Sequence, residues 1–179
     1  MSAAKERMPM VSVIMPTYNH AQFLSESIGS VLGQTYENLE LIVVDNYSED
    51  NTEEVVRRFN DPRVKYIKFA NKGIIAASRN RGIEAARGKY IAFLDSDDLW
   101  YPDKVERQYC YMERHPEMAL VAGDMEMLSD NKRFSGRRVA GIGQTLEGEL
   151  YDKLIGYNFI PCSSRSEEHT SELQSLLII

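Results

Sequence analysis

YIAFLDSDDLWYP, residues 90–102, is the stretch whose reading decides the fold. Its first five residues, Tyr90, Ile91, Ala92, Phe93 and Leu94, have the length and the aromatic and β-branched bias of a buried strand. The run ends on three carboxylates within four residues, Asp95, Asp97 and Asp98. At a strand's carboxyl end such charges repel one another, which favours a site where a cation sits between them. Asp95 and Asp97 are two apart, so in extended backbone they leave the same face and converge on one ligand. Hard oxygen donors of this kind suit Mg2+ or Mn2+, with substrate phosphates completing the shell. The alternative is a solvated turn in which Asp97 or Asp98 caps the helix that follows.

The pattern repeats outward from this stretch. VSVIM at 11–15 is an apolar run that Pro16 is expected to stop, followed by a polar loop, Thr17, Tyr18, Asn19 and His20. Phe23, Leu24, Ile28, Val31 and Leu32 then recur at helical spacing. A second run, 39–44, ends on Asp45, and in the turn-rich segment after it Asp50 or Asn51 is placed to cap a short helix through Phe59. Residues 64–69 read as a third strand, and 74–86 as a helix with Gly88 just past its end. Beyond the organising strand, Pro102 suits a first helical position. Val105, Tyr109 and Met112 share a helix face to about His115, and 118–122 is another strand. The order βαβαβαβαβ predicts a three-layer α/β/α domain with a mostly parallel central sheet. Ligands of such sheets gather beyond the carboxyl ends of the strands, where Asp45 and the Asp95 cluster both lie. From 129 to 148 the chain turns polar, glycine-rich and locally basic and reads as a loop. Its Arg133, Arg137 and Arg138 are either solvated or reach toward an anionic ligand, and 146–155 is again helical in pattern.

Composition excludes several classes. The 179 residues suffice for one domain with a real core, and 43% hydrophobic with 27% charged residues describes an ordinary water-soluble chain. A net charge of −6 argues against nucleic-acid binding. No apolar run approaches a membrane span, and MSAAKERMPM at the N-terminus has no signal-peptide core. The expected location is therefore the cytoplasm, with peripheral membrane association left open. Cys110 and Cys162 match no metal spacing, and His20, His115 and His169 are scattered without triad or paired-ligand spacing.

A parallel sheet with an acid closing its second strand invites a dinucleotide reading, but the first turn, Pro16-Thr17-Tyr18-Asn19, has no glycine to admit a pyrophosphate. A GxxxxGK[ST] loop is also missing, so a cation on Asp95 and Asp97 is the available way to hold phosphates. Four blocks carry a resemblance: VSVIMPTYN at 11–19, LIVVDNYSEDNT at 41–52, ASRNRGIEAARGKYIAFLDSDD at 77–98 and LWYPDKVE at 99–106. Together they resemble the inverting family-two glycosyltransferases of the GT-A, Rossmann-like nucleotide-diphospho-sugar transferase fold, in that family's order and over about two-thirds of the chain.

The resemblance implies transfer from a nucleotide-diphospho-sugar, UDP-type favoured, to a saccharide, lipid-linked or protein acceptor in cell-wall or polysaccharide synthesis, with Mn2+ or Mg2+ as cofactor. It implies that Pro16, Thr17 and Asp45 cradle the base, with Asp45 accepting from a ring N–H. Arg79 would reach the nucleotide or diphosphate, Asn80 would brace the loop, Asp95 would hold the ribose and Asp97 the metal, with Asp95 beside it. Asp45 as a turn cap, Arg79 as a solvent-facing helix residue and Asp98 as a helix cap are the competing readings, and Trp100 is expected to pack beside the site. The family usually has two consecutive acids after the second strand; here they are Asp45 and Asn46. The rival functions are a sugar-nucleotide-binding module without turnover and a nucleotidyltransferase, although the glycine- and arginine-rich loop the latter needs is absent.

An inverting transferase also needs a carboxylate to take the acceptor's proton. NFIPCSS at 158–164 resembles the approach to the strand preceding it, and there the resemblance stops, leaving the catalytic base unassigned and the fold expected to be incomplete at its C-terminus. RSEEHTSELQS at 165–175 reads like the in-frame translation of a sequencing-library adapter. The expectation is thus a donor-binding domain over 1–164 and a non-native, unpacked tail over 165–179.

Overall fold

The computed structural model describes residues 11–118 and 120–123, the backbone of strands at 126–128 and 134–138, Ser163, and 165–168. Among these, strands β1 (Val11–Thr17), β2 (Leu39–Asp45), β3 (Val64–Lys68), β4 (Tyr90–Phe93) and β5 (Leu120–Ala122) alternate with helices α1 (Ala21–Leu32), α2 (Thr52–Arg58), α3 (Ile75–Ala85) and α4 (Lys104–Arg114). Strands β6 (Glu126–Leu128), β7 (Phe134–Arg138) and β8 (Arg165–Glu168) follow. The main sheet has the order β3-β2-β1-β4-β8-β5, and β6 and β7 form a separate antiparallel pair. Strands β1 to β4 pair in parallel, while β8 runs antiparallel to both β4 and β5.

Alternation along the buried strands divides the core in two. Val11, Val13 and Met15 with Leu41, Val43, Tyr90 and Ala92 face α1, α2 and α4, meeting Leu24, Ile28, Val56, Val105 and Met112. Ile14, Ile91 and Phe93 face the other way, against Ile83 of α3. Helix α3 comes close because Gly82 has no side chain: a Cβ there would lie 2.4 Å from Ile14 Cγ2.

Four sequence expectations differ from this fold. Pro16 does not stop β1, which runs on to Thr17. Pairing with β4 ends at Ile14↔Phe93, so the N–H that proline lacks faces a position where β4 offers no ladder bond. The segment 129–148, read as a loop, contains β7, whose ladder with β6 a polar sequence does not announce. The folded region was expected to close at Ser164, yet 165–168 form a strand between β4 and β5. Two strand edges with unpaired backbone groups accept any extended segment that reaches them, and Ser166 is buried there with its hydroxyl donating to Gln108 Oε1 at 2.8 Å. Finally, β4 ends at Phe93 and the carboxylates that follow sit in a turn, closed by Asp98 N–H donating to the Asp95 carbonyl at 3.0 Å. The helix expected at 146–155 and the strand approach at 158–162 lie outside the described residues, as do the side chains of Arg133, Arg137 and Arg138.

Candidate functional site

The chain leaves β1 toward β2 on one side, and β4 returns on the other, so the carboxyl ends of β1 and β4 flank the point where strand order reverses. A pocket of about 450 Å³ opens there. Pro16, Thr17, Tyr18 and His20 contribute from the loop after β1, Asn46 from the end of β2, and Asn71, Gly73, Ile75, Ser78 and Arg79 from α3 and its entry. Asp95, Ser96 and Asp97 close it from the turn after β4.

Pro16, Thr17, Arg79, Asp95 and Asp97 therefore share one cavity, although Pro16 and Asp95 lie 79 positions apart in the chain. Arg79 Nη2 lies 2.8 Å from Asp95 Oδ1, which fixes the guanidinium against one wall. Its Nε and the Thr17 hydroxyl are buried without a hydrogen-bond partner among the described residues. The Thr52 hydroxyl, outside the pocket lining, is likewise buried without a partner among the described residues.

Asp45 is placed differently. It is fully buried and stands behind the lining residues, where Ser48 donates its N–H at 3.1 Å and its hydroxyl at 2.5 Å, and Tyr66 its phenol at 2.6 Å. Burial, and then the bond to the Asp45 carboxylate, push the Tyr66 phenol well above its ordinary range. Asp98 is not among the lining residues, and burial pushes its carboxyl up; the Ser163 hydroxyl opposes this, while the charges of Asp97 and Asp95 add to it. Trp100 belongs to the core, with its indole N–H donating to the Ser163 carbonyl at 2.7 Å. Asn80 is exposed on α3.

Asp95 and Asp97 are hard oxygen donors on one pocket wall and fit a small divalent cation that keeps water and takes ligand phosphate oxygens. Among the described residues no three His, Cys, Asp or Glu side chains converge into an all-protein cage. The residues that sequence reasoning missed are polar: Asn46, whose Oδ1 accepts the Asn71 N–H at 2.9 Å, and Asn71, whose Nδ2 donates to Ser78 Oγ at 2.9 Å. The signal for the latter is Asn71-Lys72-Gly73, where φ is +54° at Lys72 and +79° at Gly73, a tight turn entering α3.

Comparison with known proteins gives a consistent result. Residues 12–170 match the family model described as glycosyl transferase family 2. The chain is 42% identical over 122 residues to the UDP-Glc:alpha-D-GlcNAc-diphosphoundecaprenol beta-1,3-glucosyltransferase WfgD of Escherichia coli, covering 68% of this chain and 48% of that protein. It is 39% identical over 150 residues to Bacillus subtilis TuaG, whose name refers to a glycosyltransferase of teichuronic acid biosynthesis, covering 83% and 60%. The chain thus spans about half the length of these relatives. Among solved structures, S. aureus TarS in complex with UDP superposes with a TM-score of 0.72 at 24% identity, covering 89% of this chain and 46% of that one. The mannosyltransferase PcManGT of Pyrobaculum calidifontis, in complex with GDP-Man and Mn2+, gives 0.61 at 27% identity over 70% and 38%.

Proposed function

The chain belongs to glycosyl transferase family 2 and has its GT-A fold, and from that premise we propose that it binds a UDP-type sugar nucleotide with a divalent cation for inverting transfer to an acceptor hydroxyl. The observation that carries the proposal is the convergence of Thr17, Arg79, Asp95 and Asp97 on one pocket. The loop at Pro16 and Thr17 holds the base, backed by the buried Asp45. Ser48 and Tyr66 fix the orientation of that carboxylate.

Asp95 takes the ribose, Arg79 the diphosphate, and Asp97 with Asp95 the cation. A bound cation offsets the charge that develops on the leaving diphosphate, worth several kcal/mol at the transition state. Arg79 adds a fixed guanidinium on the same wall, already oriented by Asp95, so little ordering is left to be done on binding. The acceptor hydroxyl attacks the anomeric carbon from the face opposite the diphosphate and inverts it. The WfgD name, with its UDP-Glc donor and diphosphoundecaprenol-linked acceptor, supports a lipid-linked saccharide acceptor in polysaccharide synthesis. Among the described residues no helix is long and apolar enough to cross a membrane, and we place the chain's work at the cytoplasmic face.

Product analysis with UDP-glucose and a polyprenyl-diphosphate-linked saccharide tests the reading. The expected result is a new glycoside with inverted anomeric configuration together with UDP. Pyrophosphate release would make the protein a nucleotidyltransferase instead, and tight donor binding without any glycoside a binding module.

A further inference from the structure

We propose, resting on the donor-site reading above, that His20 is a positioning residue for the carboxylates of Asp95 and Asp97, acting through Ser96. Ser96 sits between them, 3% exposed, as a central residue of the turn at 95–98. Its hydroxyl meets His20 Nδ1 at 2.8 Å, and its carbonyl accepts the Ser27 hydroxyl at 2.8 Å. Because that carbonyl belongs to the peptide joining Ser96 to Asp97, fixing it together with the Ser96 side chain fixes the direction in which Asp97 leaves the turn. Asp95 is held at the other end, its N–H donating to Ser163 Oγ at 3.0 Å.

His20 stands immediately before α1, at the position where Ser, Thr, Asp or Asn is preferred because its side chain caps the helix. Its side chain makes no cap bond, and the imidazole is turned to Ser96 instead. A site where a residue forgoes the locally favoured role is where function is expected. The ring is steadied by Phe23, edge-on with centroids 5.9 Å apart at 88°. The helix start that carries it is tied to the loop after β2, since Ala21 N–H donates to Asp50 Oδ2 at 3.0 Å and Glu49 N–H to Asn19 Oδ1 at 2.8 Å. The α1 terminus is thus a rigid bracket, and His20 is the part of it that reaches both the pocket and the turn. Residues that orient metal-binding carboxylates typically change cation affinity by about 10- to 100-fold when removed.

Calorimetry of the full chain with UDP, in Mn2+ and in chelator, tests the proposal with His20→Ala, Ser96→Ala, the double variant and His20→Asn, each checked by thermal unfolding. The Mn2+-dependent gain in UDP affinity is expected to fall about 10-fold in His20→Ala, over and above any loss seen in chelator. The double variant should lose no more than the worse single one, and His20→Asn, whose side-chain amide sits where Nδ1 did, should recover most of the gain. Equal losses with and without Mn2+, or an unaltered gain in a folded His20→Ala, would show that His20 only supports the helix and overturn the proposal. An unsubstituted chain that binds UDP with no Mn2+ gain would refute the cation reading itself, and this proposal with it.

Discussion

Glu40→Gln removes a charge from inside the sheet. Glu40 is 3% exposed on β2, where its carboxylate accepts the Ser12 hydroxyl at 2.7 Å, the Arg87 N–H at 2.8 Å and Lys65 Nζ at 2.7 Å. Burial opposes its ionisation, but Lys65, the Ser12 hydroxyl and the Arg87 N–H outweigh that and hold the carboxyl below its ordinary range. Glutamine keeps an acceptor for the Ser12 hydroxyl and the Arg87 N–H and loses the charge that pairs with Lys65 and, at 3.4 Å, with the Arg87 guanidinium. Removing one member of a buried pair costs about 3–5 kcal/mol, and because Lys65 is 34% exposed and can turn toward water, we expect about 2–3 kcal/mol here. Urea unfolding at pH 7, followed by the emission of the single, buried Trp100, reads this directly. The acid limb provides a second reading. A carboxyl whose folded pKa is depressed contributes stability that is complete above its unfolded value of about 4.3 and disappears as pH falls through the folded value. The parent should therefore lose stability below about pH 4 more steeply than Glu40→Gln. A variant within about 0.5 kcal/mol of the parent at pH 7, with the same acid limb, would refute the claim that this charge matters to the sheet.

Three further outcomes follow from the geometry. Gly82→Ala should lower the melting temperature: the Cβ would overlap Ile14, and overpacking of about 1–3 kcal/mol exceeds the roughly 1 kcal/mol gained in helix propensity. Tyr66→Phe should cost about 1.5–3 kcal/mol of stability by stripping a phenol from the buried Asp45 carboxylate, and calorimetry should find weaker UDP binding as well. Arg79→Ala should weaken UDP binding about tenfold or more, and Arg79→Lys should restore only part of it, because an ammonium cannot both keep the Asp95 contact and offer the further donors of a planar guanidinium. Unchanged affinity in both Arg79 variants would remove that residue from the site.

The alternating helices and parallel strands were legible because apolar runs such as 41–44 are buried throughout, and burial of both faces leaves no polar alternation to confuse the reading. What escaped was decided by backbone pairing. Pro16 reads as a strand stop, but what it breaks depends on where the neighbouring strand ends. Strands β7 and β8, FSGRR and RSEE, are polar and exist through ladder bonds to partners that no local pattern reveals. At the site, the carboxylates at 95 and 97 were found by type and position, yet they converge through a turn rather than along an extended strand. Asp45 and Asn46 were separable only in three dimensions, since adjacent residues face opposite ways: the first is buried among Ser48 and Tyr66 and the second lines the pocket. His20 and Ser96, 76 residues apart, carry no mutual sequence signal at all.

The central claim is that a cation held by Asp97 joins this chain to a UDP-type donor. Calorimetric titration of UDP with and without Mn2+, on the parent and on Asp97→Ala, tests it most directly. The account predicts that Mn2+ strengthens UDP binding in the parent and that Asp97→Ala binds UDP equally in Mn2+ and in chelator. Equal affinity in chelator for the parent, or an Asp97→Ala chain that keeps the full Mn2+ gain, would contradict it.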